Sequence, residues 1–401
     1  MSLSLAFHPD TDHLRHIVKS LSLLSPRLED LSLRRGGPPS GGFANIASPG
    51  YRPTLRGTET CELLGLTSFT TRRMFVAYDA LLGLGGLPHL RKLHINPPFE
   101  ASDWAPPGQE RRDAFFVALE ELVLTGKKGN HQGCIDFVGI ITPTSLRTVT
   151  LDLRWPKDGT AEALFAALCA ALGGLPCHGT IKDIKITLGF RDDRDENIYR
   201  SPCFAPLLEL HALQSLSIEG GPKVVVDDAT LDAMSRAWPS IRTLRFAWPT
   251  SPRLNWWEQS LYDRAYTPPG ADAPDRPGAT LAGLVPLALR CAHLEELEVA
   301  IDMRAVPTFD GHRRPPVFVK DARLACKVKA LCTEGCVPGD PWAVASFLSL
   351  VLPRLGSIGG STPRATWERT FYFYRVLQAV RFQERDWAIG HRKNFKDPAG
   401  L

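Results

Sequence analysis

The chain has 401 residues, 44% hydrophobic and 22% charged, which supplies apolar material for a large core and excludes the polar bias of a disordered protein. Lys and Arg number 47 against 43 Asp and Glu, a net charge of +4 spread without a long single-sign block, so composition gives no argument for nucleic acid. Nine irregularly spaced cysteines, no signal-like opening and no uninterrupted apolar run of about eighteen residues read as reduced thiols in a cytoplasmic or nuclear protein without a membrane span.

The chain opens on SLSLAF, whose Leu3 and Leu5 stand 28 residues before Leu31 and Leu33. A helix is predicted from Asp12 to Leu24. The phrase Pro-x-apolar-x-x-apolar-x-apolar then appears in PRLEDLSL from Pro26 and PHLRKLHI from Pro88, and returns in PSIRTLRF from Pro239 and, shortened, in PRLGSI from Pro353. Without the proline it recurs at Leu119, Leu122 and Leu124, at Leu146, Val149 and Leu151, and at Ile181, Ile184 and Ile186. It does so again at Leu213, Leu216 and Ile218, and at Leu294, Leu297 and Val299. First apolar positions fall at 28, 90, 119, 146, 181, 213, 241, 294 and 355, with short steps near thirty and three long steps close to two periods, as if each hid a divergent repeat. Lys327 to Leu331 is one candidate for such a repeat.

The physical reason for the phrase is a short strand whose apolar residues enter a core while the alternate residues face out. Helices return the chain between strands. Thr160 and Gly173-Gly174 bracket AEALFAALCAAL with a hydroxyl N-cap and a glycine stop, Asp228 precedes ATLDAMSRAW, and Asp340-Pro341 precedes WAVASFLSLVL. The class is therefore α/β. The predicted architecture is a right-handed leucine-rich-repeat solenoid over 1–361, with a curved parallel sheet on its concave side and helices on its convex side. A Pro-rich aromatic insertion around 248–279 interrupts it. A capping helix and tail over 362–401 close it, the helix carrying Trp367, Phe371 and Tyr374 with Phe373, Leu377 and Val380 at helical spacing.

Signatures of catalysis are missing from the sequence. LLGLGGLPHL has Pro88 where a third glycine of a dinucleotide loop belongs, and no phosphate loop, nucleophile elbow or zinc-protease helix occurs. Cys326, Cys332 and Cys336, and Cys169, Cys177 and His178, do not match paired metal-ligand spacing, and the acidic run RDDRDEN from Arg191 reads as a solvated loop. The expectation is a protein that is not an enzyme and carries no cofactor or metal.

LALRCAHLEELEV, with Cys291 three residues before Leu294, resembles the cysteine-containing leucine-rich repeats of F-box proteins. The proline-led variants and DPWAVASFLSLVLPRL resemble the divergent F-box/leucine-rich-repeat proteins of fungi. That resemblance implies the target-recognition part of a ubiquitin-ligase substrate receptor, joined through an F-box to a Skp1-type adaptor and a cullin. No F-box is visible, and the repeats begin almost at Met1. SLSLAF suggests a chain that starts inside a repeat with the F-box upstream; the other openings are a frayed first strand or a cap made by the Asp12 to Leu24 helix. A free-standing repeat scaffold without a ubiquitin link therefore stays open beside the receptor, and an enzyme of unrecognised class is the remote third possibility.

On the solenoid reading, residues alternating with the leucines line the concave sheet: Arg34, Lys92, His94, Asn96, Glu121, Asp152, Lys185, Glu219, Arg245, Glu296 and Glu298. Both signs are present with no dominant stripe, which suits a polypeptide partner better than a nucleic-acid backbone. Trp256, Trp257 and Tyr262 in the insertion are a second candidate binding group, weighed against folding back onto the solenoid.

Overall fold

The computed structural model describes residues 1–7, 11–25, 27–35, 54–55, 62–97, 115–126, 131–154, 160–189, 198–220, 223–246, 277–307, 327–332, 339–359 and 364–394. Contacts group the chain into two units, Met1–Pro222 and Lys223–Leu401.

In the first unit the repeated phrase becomes a parallel sheet. Ser2–Phe7, Asp30–Arg35, Ser68–Val76, Lys92–Asn96, Glu121–Gly126, Thr148–Arg154, Asp183–Gly189 and Ser215–Glu219 pair in that order. Leu3 sits opposite Leu31 and Leu5 opposite Leu33, the register implied by their 28-residue spacing. Inward and outward residues alternate along most of the ladder; Thr148–Arg154 buries Val149, Leu151 and Leu153 and leaves Asp152 and Arg154 exposed.

Parallel neighbours need crossovers, and the return segments include the helices Tyr78–Gly85, His131–Ile140 and Ala161–Gly173 and the 3₁₀ segment Ser201–Glu209. Helix Ala161–Gly173 buries Phe165, Leu168, Cys169 and Leu172, and Phe165 stacks on Tyr199 with ring centroids 4.4 Å apart. Its ends differ from expectation. The Thr160 side chain makes no capping hydrogen bond, because its backbone is already helical, and Gly174 ends the helix in a right-handed conformation.

The second unit repeats the pattern. Thr243–Phe246, Glu296–Glu298, Ala330–Cys332 and Ser357–Gly359 form parallel pairs in that order, and Ala279–Thr280 pairs with Ile301–Asp302. Asp227, one residue before the position expected, caps helix Asp228–Ala237 by accepting from the Thr230 amide at 2.8 Å. Asp228 instead accepts from the Thr280 amide and hydroxyl, each at 2.7 Å. Asp340 caps helix Pro341–Val351 as predicted, accepting from the Trp342 amide at 3.0 Å. Helix Leu284–Arg290 separates Ala279–Thr280 from Glu296–Glu298.

One backbone device recurs in both units. Before the strand, a turn closes with an amide bonding the carbonyl three residues earlier: Leu90 to Leu87, Leu213 to Leu210, Ile241 to Trp238, Leu294 to Cys291 and Leu355 to Leu352. Both residues of each pair are buried. Pro88, Pro239 and Pro353 occupy the second position of such turns, where their fixed φ is already correct, and this explains the recurring proline. After the turn, one carbonyl of the preceding strand accepts two successive amides. Thr67 O takes Arg91 N and Lys92 N, Arg91 O takes Glu120 N and Glu121 N, and in the second unit Arg242 O takes Glu295 N and Glu296 N.

Two of the three long steps hold a strand without the leucine phrase. Ser68–Val76 fills the step from 28 to 90, with Phe69 and Thr71 inward opposite Leu31 and Leu33. Ala330–Cys332 fills the step from 294 to 355, with Leu331 opposite Leu297 and Ile358. The step from 241 to 294 holds no further rung, because Thr243–Phe246 pairs directly with Glu296–Glu298.

Helix Arg364–Asn394 packs on Pro341–Val351 in the second unit. Trp367 and Tyr374 are buried, and Phe373 meets Trp342 edge to face at 5.3 Å. Val380, expected on the apolar stripe, is exposed, although the helix still touches its partner there, Arg381 donating to the Ser349 hydroxyl at 2.9 Å.

Candidate binding face

Register brings the outward residues of successive strands side by side. In the first unit Asp30, Ser68, Lys92, Glu121, Thr148, Asp183 and Ser215 form one row, and Ser32, Thr70, His94, Val123, Thr150, Lys185 and Ser217 the next. Lys92 pairs with Glu121 at 3.3 Å and Lys185 with Glu219 at 3.0 Å. In the second unit Arg245 pairs with Glu298 at 2.9 Å, and Glu296 is exposed. Such pairs contribute about 0–1 kcal/mol each; their effect is to neutralise the face locally.

Arg34, Asp152 and Lys185 are exposed, as the alternation required. His94 is half-buried, and its pKa is pushed below the ordinary range first by burial and then by Arg72, against a smaller opposing pull from Glu121. It is a neutral imidazole at pH 7.

Asn96 is a correction. It was expected on the outward face, yet it is 3% exposed. Its amide donates to the Met74 carbonyl at 2.9 Å and its oxygen accepts from the Thr125 hydroxyl. The cause lies in strand Ser68–Val76, where the six residues from Thr70 to Phe75 run against the three from His94 to Asn96. This bulge folds Met74 over Asn96, which braces it.

The bulge also shows what the leucine phrase could not reveal. Arg72 lies on it, exposed and directly in register with Arg34. A period count from Leu28 through Leu66 to Leu90, with SFTTRRMFV read as the strand between, would have found it.

Trp256, Trp257 and Tyr262, the acidic run 191–197, Cys326 and Cys336 lie outside the described residues. Cys134, Cys169, Cys177, Cys203 and Cys291 are buried free thiols, and burial raises the pKa of Cys169 and Cys177. Cys291 bolts one repeat to the previous one, its thiol donating to the Trp238 carbonyl at 3.6 Å. Among the described residues no group of three His, Cys, Asp or Glu side chains could hold a metal ion, and no helix is long and apolar enough to cross a membrane.

The class defined by this geometry is an α/β protein of stacked parallel strands with one face in a core and one polar face outward. A scan of protein-family models and a search of the curated proteins find no match to the chain.

Proposed function

We propose that this chain is a leucine-rich-repeat solenoid whose outward, concave sheet face docks a polypeptide without catalysis. Its particular form, by the resemblance of the Cys291 repeat and the proline-led phrases, is the target-recognition part of an F-box-type ubiquitin-ligase receptor in the cytoplasm or nucleus. The observation that carries the binding reading is the registered polar face, on which charges of both signs stand in fixed rows against a buried apolar underside. A surface of mixed, locally neutralised charge matches another protein better than a polyanion.

Affinity purification of the tagged chain from its own cells tests both parts. A Skp1-type adaptor and a cullin among the recovered proteins support the receptor, whereas a partner without them supports a free-standing scaffold. Reversing exposed charges on the face, Lys185→Glu in the first unit and Glu296→Lys in the second, is expected to release the captured target with folding intact. Retention of every partner by both variants overturns the binding face.

A further inference from the structure

On the outward face Lys92, Lys185 and Arg245 stand beside carboxylates, but Arg34 and Arg72 stand beside each other. Direct register places their backbones on adjacent parallel strands, about 4.8 Å apart. Both are exposed, and neither makes an ion pair with a described carboxylate. Like charges directly opposite destabilise a sheet, so the arrangement costs free energy in the unliganded protein.

The surroundings add donors. Ser32 and Thr70 are opposite one another one step down the same two strands, each half-buried, and Thr70 is opposite His94 on the next strand. On the other side Arg34 faces Ala6, which is small and leaves the guanidinium open. Among these positions no carboxylate occurs.

Regular register with strand Asp30–Arg35 places Arg72, and toward its other neighbour the same stretch carries a costly backbone feature. The bulge from Thr70 to Phe75 breaks the ladder to strand Lys92–Asn96 and requires Asn96 to satisfy the Met74 carbonyl, while Thr71, inward opposite Leu33, carries a buried hydroxyl with no hydrogen-bond partner among the described residues. A regular strand would bury an apolar residue in place of Thr71 at lower cost. A local rule broken without a packing gain, and braced from below, marks a functional position.

We propose that Arg34 and Arg72, with the Ser32 and Thr70 hydroxyls, form a binding site for a phosphomonoester dianion. Two planar guanidinium forks match phosphate oxygens bidentately, and the hydroxyls supply further donors. The dianion can come from a free phosphomonoester or from a phosphorylated side chain on an extended polypeptide lying across the strands. The second source rests on the reading of this face as a polypeptide-binding surface; the anion site itself does not.

The experiment is calorimetric titration of the full-length chain with two probes: inorganic phosphate, and a blocked pentapeptide carrying one phosphoserine, with its unphosphorylated twin. Saturable binding of inorganic phosphate is expected, with a loss of roughly tenfold or more in Arg34→Ala and in Arg72→Ala, since a charged hydrogen bond is worth about 1.5–3 kcal/mol. Arg200→Ala, off the face and already paired with Glu162, should leave binding unchanged. Tighter binding of the phosphopeptide than of phosphate assigns the dianion to a polypeptide, and equal binding assigns it to a small phosphomonoester. Absence of saturable binding by either probe, or binding unaffected by both arginine variants, overturns the site. Should the anion site fail while Glu296→Lys still releases the captured target, the polypeptide-binding face stands alone; the converse result removes the face and keeps the anion site.

Discussion

Asn96→Ala separates a structural brace from a recognition residue. The substitution deletes the amide that donates to the Met74 carbonyl at 2.9 Å and the oxygen that accepts from the Thr125 hydroxyl. With Asn96 only 3% exposed, water has little access to replace either bond. A buried polar group left without a partner costs about 1–3 kcal/mol. The Thr125 hydroxyl keeps a 3.4 Å contact with the Ile95 carbonyl, so its share falls at the low end. The sum is a destabilisation of about 2–4 kcal/mol, equivalent to roughly a 30- to 700-fold rise in local opening. Thr125→Val should cost about 1 kcal/mol, and the double variant less than the sum, because the two side chains share a bond. Hydrogen exchange followed by mass spectrometry on peptides spanning 68–97 reads the effect where the bulge lies. Unchanged exchange together with loss of a bound partner would refute the brace and return Asn96 to the binding surface.

Gly220 has φ +91°, and a Cβ there would stand 2.7 Å from the Leu188 carbonyl oxygen, so Gly220→Ala should lower stability by about 1–3 kcal/mol in urea unfolding. A wild-type midpoint would show that the turn can adopt another path. The Tyr374 hydroxyl donates to the Leu352 carbonyl at 2.7 Å and accepts from the Leu355 amide at 3.0 Å, so Tyr374→Phe should cost about 1–3 kcal/mol near neutral pH. Burial raises the Tyr374 pKa to about 12, so the neutral phenol contributes its full stability below the unfolded value near 10 and loses it as pH climbs through 12. Unfolding measured at intervals from pH 9 to 12 should therefore show the wild type and the Phe variant converging; a constant gap contradicts the assignment. Cys134, Cys169, Cys177, Cys203 and Cys291 are buried, so thiol labelling of the native chain followed by peptide mapping should leave all five unmodified until denaturant is added. Prompt labelling of Cys291 would rule out its bond to Trp238.

Most of the ladder was legible because a parallel strand with one buried face needs apolar residues two apart, and Leu31 with Leu33, Leu122 with Leu124 and Leu216 with Ile218 supply them. The turn was half legible. Pro88 and Pro239 announced it, while of the buried residues that open it Trp238 read as the end of a helix and Leu87 as part of a glycine-rich stretch. Strand Ser68–Val76 escaped because Phe69 and Thr71 replace the usual leucines. Its bulge escaped because a bulge is a mismatch between two strands, which no single stretch of sequence contains. For the same reason Asn96, placed outward by simple alternation, turned out buried, and Arg72 was not counted among the outward residues. Of the candidate face, Arg34, Lys92, Asp152, Lys185 and Glu296 are exposed as alternation predicts, but the pairing of Lys185 with Glu219 and of Arg245 with Glu298 depends on neighbours 34 and 53 residues away.

The interval between turn and strand has a consequence for how such a chain can change. Leu90 precedes Lys92 by two residues, Leu213 precedes Ser215 by two, and the same offset separates Ile241 from Thr243, Leu294 from Glu296 and Leu355 from Ser357. The stretch that returns from one strand to the next varies by tens of residues, as the direct pairing of Thr243–Phe246 with Glu296–Glu298 shows. Insertions can therefore accumulate in the returns with little effect on register, because closing a longer loop costs only about 0.6 kcal/mol per doubling of its length. A single residue added within the two-residue interval exchanges the two faces of its strand, sending leucines to water and charges to the core. Length in this chain is thus free in one place and fixed in another, and a scan of one-residue insertions along the chain would trace the fixed places as a series of intolerant sites, one just before each strand.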